Sequence, residues 1–241
     1  MKTYIYKIKP TKPQLMAMEQ TLEVCRHLYN GALAERKDAW ENEKRSVNFV
    51  QQCAYLPALK EKSAYLPNIH SQVLQDVMHR VNRSFENFFR RVKSKETKAG
   101  FPRFKGDGWY DSFQYRQYGN GAKFDTQGRL ALSKIGAVRI CKDRLMMGTP
   151  KTCTIIRRAN GWYACIACDT EPEPLPKTGK NVGIDVGLES FATLSNGEAI
   201  SNPRLLRRAE RQLKTAQRRV SRRKKGSERR KKPVSCWQKH I

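Results

Sequence analysis

The sequence predicts an α+β chain: a leading strand, a set of helices, a small all-β module, and a last stretch where strands return before a basic helix. Three observations predict it. Leu74, Val77, Val81, Phe85, Phe88 and Val92 recur at steps of three and four, one apolar stripe of a long helix. From Phe101 to Asp169 the pattern changes to short alternating runs broken by Gly, Asn and Asp, which suits a small barrel or sandwich. Glu171-Pro172-Glu173-Pro174-Leu175-Pro176 then reads as a stiff linker and a domain boundary.

Each element has its own warrant. Residues 2–9 alternate as a strand that Pro10 stops. Thr11 and Gln14 make a capping box for a helix that runs to about Glu43, with apolar positions Leu15, Met18, Leu22, Cys25, Leu28, Tyr29, Ala32 and Leu33. Ser46 is the expected cap of a shorter helix through Phe49, Val50 and Cys53 to Leu56. Asn68 is the expected cap of the long helix, which Gly100 and Pro102 end. The strand runs are Ser112–Tyr118, Lys123–Asp125, Arg129–Leu132, Val138–Ile140, Thr152–Arg157 and Trp162–Cys168. After the linker, Val182–Leu188 and Phe191–Ser195 read as strands, with a turn at Asn196-Gly197. Asn202-Pro203 opens a helix with a seam of Leu206, Ala209, Leu213, Ala216 and Val220.

Charge narrows the function classes. The 241 residues carry 48 Lys+Arg against 22 Asp+Glu, a net +26, of which +14 falls in residues 201–241. Such a balance points to a polyanionic partner, most often nucleic acid. Hydrophobic residues at 39% are enough for a core, so the chain is not simply disordered. No apolar run is long enough to cross a membrane, and residues 1–10 lack the centre of a signal peptide. Seven cysteines at irregular spacing fit reduced thiols in a cytoplasmic protein. Cys165 and Cys168 form one CxxC on a strand, their sulfurs on opposite faces, so they read as core residues and not half a zinc site. His27, His70 and His79 read as helix-surface residues.

Candidate nucleic-acid contacts follow the cations. Arg80, Arg83, Arg90, Arg91, Lys93, Lys95 and Lys98 crowd the long helix and its end. Phe101, Arg103, Phe104, Lys105, Trp109, Tyr110, Phe113, Tyr115, Arg116 and Tyr118 interleave rings with charge. That mixture suits stacking on bases and neutralising phosphates, and equally a barrel core with exposed cations. Arg207, Arg208, Arg211, Arg218 and Arg219 surround the last helix, and Arg222, Arg223, Lys224 and Lys225 follow it, as a phosphate-facing surface or a solvated tail.

One segment has catalytic chemistry in view. In Gly183-Ile184-Asp185-Val186-Gly187 a strand would send Val182, Ile184 and Val186 to one face, and Gly183, Asp185 and Gly187 to the other. A carboxylate between two glycines leaves room for a metal ion or a nucleic-acid backbone. A two-metal nuclease needs such a residue as a first ligand. Taken alone, it also suits a turn or the surface.

The run from Val182 to Gly197 resembles the first RuvC motif of TnpB, the OrfB-type transposase-associated family of bacterial insertion sequences, related to type V CRISPR nucleases. The resemblance extends over Cys25–Asn30, Leu66–Gln75, Phe85–Phe89, Gly100–Lys105, Leu132–Gly136, Gly161–Tyr163 and Ser221–Ser227. It implies a WED-like barrel begun by residues 1–10, interrupted by a helical recognition lobe at 11–98, and completed by 99–170. A linker at 171–180 then leads to an incomplete ribonuclease-H-like (RuvC) α/β domain at 181–241. It implies guide RNA and target DNA as partners, no membrane, and a cytoplasmic protein that joins the nucleoid when bound to DNA. It also implies Mg²⁺ as cofactor, with Asp185 as catalytic metal ligand.

The family's RuvC site also takes a Glu and another Asp from later motifs, with a zinc ribbon between them, and this sequence has neither. One carboxylate does not hold two metals, so the expectation is a chain that does not cleave alone. Ser235-Cys236-Trp237-Gln238-Lys239-His240-Ile241 stands where the family continues Ser-Leu-Leu-Ala-Lys-Ala-His. Loss of one nucleotide from a coding of the second gives the first, so the expectation is a frameshifted, C-terminally truncated member. The alternatives are a nuclease-dead RNA-guided repressor, a nuclease completed by another chain, and a general nucleic-acid-binding protein.

Overall fold

The computed structural model describes residues 1–95, 99–171, 179, 181–223 and 227. The linker after Glu171, Lys98, Lys224, Lys225 and the segment 235–241, read above as frameshifted, lie outside them. The chain divides into two compact units, Met1–Glu171 and Pro172–Ile241.

The first unit begins with β1 (Lys2–Lys9), which turns Tyr4, Tyr6 and Ile8 inward at every second residue. Helix α1 (Lys12–Glu43) starts where Thr11 N–H donates to Gln14 Oε1 at 3.0 Å, and it stops at Lys44, which is left-handed with φ 52°. It buries Met18, Leu22, Cys25, Tyr29, Ala32 and Leu33. Helix α2 (Phe49–Lys62) is capped by Asn48 and not by Ser46. Asn48 Oδ1 accepts from Gln51 N–H, and Asn48 N–H donates to Gln51 Oε1, both at 2.9 Å. This reciprocal pair needs a Gln three residues on, which Asn48 has and Ser46 lacks. The helix runs past Leu56 and through Pro57.

Asn68 does not cap the long helix, because it closes a 3₁₀ turn at Leu66–Asn68. Helix α3 (Ser71–Lys93) is capped by His70, whose Nδ1 accepts from Gln72 N–H at 3.3 Å. The expected stripe is buried at Leu74, Val77 and Val81, half-buried at Phe85 and Phe88, and out in solvent at Val92.

Six more strands follow: β2 (Ser112–Tyr115), β3 (Ala122–Phe124), β4 (Leu130–Leu132), β5 (Gly136–Cys141), β6 (Thr149–Arg158) and β7 (Gly161–Asp169). They form one antiparallel sheet with β1, in the order β2-β6-β7-β1-β5-β4-β3. The first strand is central: Lys7 is opposite Tyr163 on one side and Cys141 on the other. The sheet has to curl. Its edges, β2 and β3, are joined by residues 116–121, a connection that reaches about 24 Å at full extension. A flat seven-stranded sheet would hold its edges about 29 Å apart. Tyr115 Oη, at the end of β2, donates to the carbonyl of Ser133 just beyond β4 at 3.1 Å. The inner face shares a single apolar core with α1 and α3, containing Phe113, Leu130, Leu132, Val138, Ile155 and Ile166.

The second unit has three short antiparallel strands, β8 (Ile184–Asp185), β9 (Ser190–Leu194) and β10 (Ala199–Ser201), ordered β10-β9-β8, and helix α4 (Leu205–Ser221). Gly197 turns the chain at φ 87°, as expected at Asn196-Gly197. Asn202 does not cap the helix. Its Oδ1 accepts from Arg204 N–H at 3.0 Å in a local turn, so Pro203 lies before α4 and not within it. Among the described residues, no helix is long and apolar enough to cross a membrane.

Candidate functional site

Asp185 ends β8, opposite Thr193 of β9, and is exposed. The space that two glycines were expected to leave beside it is partly filled. Gly183 exchanges hydrogen bonds with Ser195, its N–H donating to Ser195 Oγ at 3.0 Å and its carbonyl accepting from Ser195 N–H at 2.9 Å. A side chain at Gly183 would lie 3.4 Å from Ser195 Cβ, and one at Gly187 would lie 3.4 Å from the Ser190 carbonyl. The glycines therefore admit the neighbouring backbone as much as any ligand. Val182, Ile184 and Val186 are between 52% and 70% exposed, so neither face of this strand is covered by the described residues.

Mg²⁺ is the metal that the resemblance implies. Asp185 could supply one oxygen to it. Among the described residues, no group of three His, Cys, Asp or Glu side chains comes together to hold a metal. The donor set around Asp185 therefore does not fit a two-metal centre by itself. Cys165 and Cys168 are both buried on β7, the placement expected of core cysteines, and burial raises both thiols.

The cations sort into two groups. Some are engaged within the fold. Arg80 Nε donates to Asp76 Oδ2 at 2.7 Å, and its Nη1 donates to the carbonyl of Ser112 at 2.9 Å and to Ser112 Oγ at 3.1 Å. Asp76 is only 3% exposed, so Arg80 is the counter-charge of a buried carboxylate before it is anything else. Arg116 adds a second cation at 3.6 Å from Asp76. Arg91 Nη2 donates to the carbonyl of Gly100 at 2.9 Å, tying the segment after α3 back to the helix. Tyr115 is a correction: its side chain is 1% exposed and its hydroxyl is bound to Ser133, so no base can stack on it.

The rest face outward. Arg83, Arg90 and Arg103 are exposed, and Lys105 is half-buried with its ammonium 5.8 Å from the Tyr29 ring centroid. On α4, Arg207, Arg208, Arg211, Arg218 and Arg219 are exposed, as are Arg222 and Arg223 beyond it. The expected seam of this helix is buried at Ala216 and half-buried at Ala209, Leu213 and Val220, whereas Leu206 is 75% exposed.

Two histidines depart from the surface reading. His70 caps α3 and has its ring 5.6 Å from that of Tyr115. The ring of His79 lies 4.1 Å from that of Phe49. Desolvation lowers the pKa of both, assisted by Lys60 at His70 and by Arg116 at His79. Trp109 was read as only one ring in a mixed segment, yet it is 75% exposed. Gly106 and Gly108 beside it, in a tight turn, are the sequence signal that it stands apart from Phe113 and Tyr115.

A family model described as "Probable transposase" (OrfB_IS605) matches residues 165–238, the stretch that contains Asp185 and α4. A companion model, described as "Helix-turn-helix domain" (HTH_OrfB_IS605), matches residues 1–45. In this chain that stretch is β1 followed by a single unbroken helix. A Streptomyces pristinaespiralis protein named "Putative RNA-guided DNA endonuclease" is 35% identical over 237 residues, covering 96% of this chain and 57% of its own length. InsQ of Escherichia coli K12, which carries the same name, is 28% identical over 226 residues, covering 92% and 54%. The chain thus spans about half the length of the curated relatives it matches. Among solved structures, a Cas12f1–sgRNA–target DNA complex aligns with 99% of this chain and 65% of its own, at 12% identity and a TM-score of 0.45. Motif resemblance, the two family models and the curated relatives agree, and together they support a TnpB-type (OrfB-type) protein.

Proposed function

We propose that this chain binds a guide RNA and the DNA that the guide pairs with, as the nucleic-acid-holding portion of an RNA-guided DNA endonuclease. The similarity over 96% of the chain to a protein of that name carries the reading. In it the curled sheet and helices of the first unit act as a WED-like barrel and recognition lobe. The second unit is the start of a RuvC-like domain. The exposed arginines of α4 supply phosphate contacts there.

The same reading gives Asp185 the role of one metal ligand and gives this polypeptide, alone, no cleavage. A two-metal clamp on a phosphodiester needs several carboxylates around both ions, and Asp185 has no such company among the described residues. The test is direct. The purified chain is mixed with its guide RNA and with a matched duplex, with and without Mg²⁺. Retention of the duplex that depends on the RNA, without cutting, is expected. Equal retention without RNA would replace this function with general nucleic-acid binding. Mg²⁺-dependent cutting would overturn the cleavage statement and leave the binding statement in place.

A further inference from the structure

The surface between α1, α3 and the loop at 105–111 holds a cleft of about 300 Å³, lined among others by Tyr29, Arg83, Asn87, Lys105, Trp109 and Tyr110. Its loop is pinned. Lys105 N–H donates to Asn30 Oδ1 at 2.8 Å. The Lys105 carbonyl accepts from Asn30 Nδ2 at 2.9 Å and from Arg26 Nη1 at 3.2 Å. Trp109 N–H donates to the Gly106 carbonyl at 3.1 Å, closing a turn in which Gly108 has φ 73°. A loop tied this closely to α1 could have tucked its indole away, and yet Trp109 stays three-quarters exposed. A large ring held on a fixed backbone in water is the form of a stacking platform.

The other walls are polar and cationic. Arg83 and Lys105 form no ion pair among the described residues, and Asp111 is the sole carboxylate on the lining. Arg80 is bound to Asp76 and Ser112 and contributes by lying over the Tyr110 ring, 5.3 Å from its centroid. The Tyr110 hydroxyl is buried without a hydrogen-bond partner among the described residues, although its side chain lines the cleft. A buried hydroxyl left unpaired is costly. Burial pushes the phenol far above its usual range, so the group stays a donor.

We propose that this cleft holds one unstacked nucleotide of a polynucleotide strand, its base against Trp109 and its phosphate on Arg83 and Lys105. The proposal rests on the nucleic-acid reading above and adds a position to it. A second cavity, of about 540 Å³, lies near Trp40, Phe88 and Phe89, but its cations are already engaged: Lys37 lies 3.8 Å from Glu41, Arg45 pairs with Glu43 at 2.7 Å, and Arg36 Nε donates to Gln52 Oε1 at 2.8 Å.

The test uses the full chain and fluorescein-labelled single strands of about 12 nucleotides, within the length such grooves cover. One arm is RNA and the other is DNA, and the tighter arm identifies the source of the nucleotide. Trp109→Ala is expected to weaken binding of the preferred strand by roughly 5- to 150-fold, and Trp109→Phe to keep most of it. Trp40→Ala should change nothing. Annealing the strand to its complement should remove the difference between Trp109→Ala and wild type, because a paired base cannot stack on the indole. The double change Arg83→Gln, Lys105→Gln should reduce the salt slope by about 1.4. Thermal melting monitors the fold. If the wild-type chain binds strands and Trp109→Ala binds them equally well, or loses single strand and duplex alike, this proposal is overturned and the function above survives. If the wild type binds neither arm, both fall.

Discussion

Helices α3 and α4 look alike on paper and behave differently in the fold. Each pairs an apolar stripe with a dense set of cations. On α3, Leu74, Val77 and Val81 are at most 1% exposed, and Arg80 is held by a buried aspartate. On α4, Leu205 and Leu206 are 69% and 75% exposed, Ala216 is the one buried residue, and the arginines meet water. The contrast extends to the units that contain them. The first has a continuous core, whereas the second leaves Val182, Ile184, Val186, Leu188 and Phe191 each more than half exposed. Its three short strands bury little apolar surface among the described residues. A high density of cations thus says little about their task. Where a core is present, some become structural; where it is thin, they stay available to a polyanion.

The sharpest way to break this comparison is to cut into both stripes. Leu74→Ala should cost about 2–5 kcal/mol in urea unfolding, because the residue is fully enclosed. Leu206→Ala should stay within about 0.5 kcal/mol. Equal losses would mean that the exposed stripe of α4 is covered in solution.

Neutralising α4 comes next. Replacing Arg207, Arg208 and Arg211 by Gln should reduce the slope of log K against log salt by up to about 2.7 for duplex DNA, with little change in the melting temperature. The slope is read from binding isotherms at several salt concentrations, and an unchanged slope would move the interface elsewhere. In the first unit the reverse holds. Gln52 Oε1 accepts from Arg36 Nε at 2.8 Å, and its Nε2 donates to the Ala32 carbonyl at 2.9 Å. Gln52→Leu leaves part of a buried guanidinium unpaired and should cost about 1–3 kcal/mol in the same urea measurement, without altering the salt slope.

The smallest effect is in pH. His70 and His79 have pKa values lowered below 6.5 in the fold, so the unfolded chain takes up protons first as the solution is acidified. Their contribution is complete above the unfolded value near 6.5 and is lost as pH falls through the lower folded values. Melting temperatures between pH 7.5 and about 5 should therefore decline, and the double change His70→Asn, His79→Asn should flatten that decline.

Much of this architecture is legible in the sequence, and the exceptions have physical reasons. Spacing located α1, α3 and all the strands of the sheet, because burial of one face imposes a period that any reader of Leu74, Val77 and Val81 can count. Helix starts were less legible. Ser46, Asn68 and Asn202 are all good capping residues, but Asn48, His70 and Arg204 hold those positions, because a cap depends on the local turn as well as the side chain. In the mixed segment the rings of Phe113 and Tyr115 turn inward while Trp109 stays out. Rings alternate with polar residues in both cases, and what separates them is the glycine turn around Trp109 and the sheet register of Phe113 and Tyr115. At the candidate catalytic strand, sequence supplied Asp185 and its strand but not the approach of Ser195 to Gly183.

The central place of β1 has a consequence for how the protein is made. Its partners are β5 and β7, and Ile8 meets Trp162 roughly 150 residues downstream. At synthesis rates of about 5–20 residues per second, that strand waits on the order of ten seconds for its neighbour to leave the ribosome. During that interval α1, α2 and α3 can form and begin to pack on one another, but both hydrogen-bonding edges of β1 remain open. Two of its outward-facing residues, Lys7 and Lys9, are charged, which discourages a growing chain from pairing that strand with a neighbour on the same message.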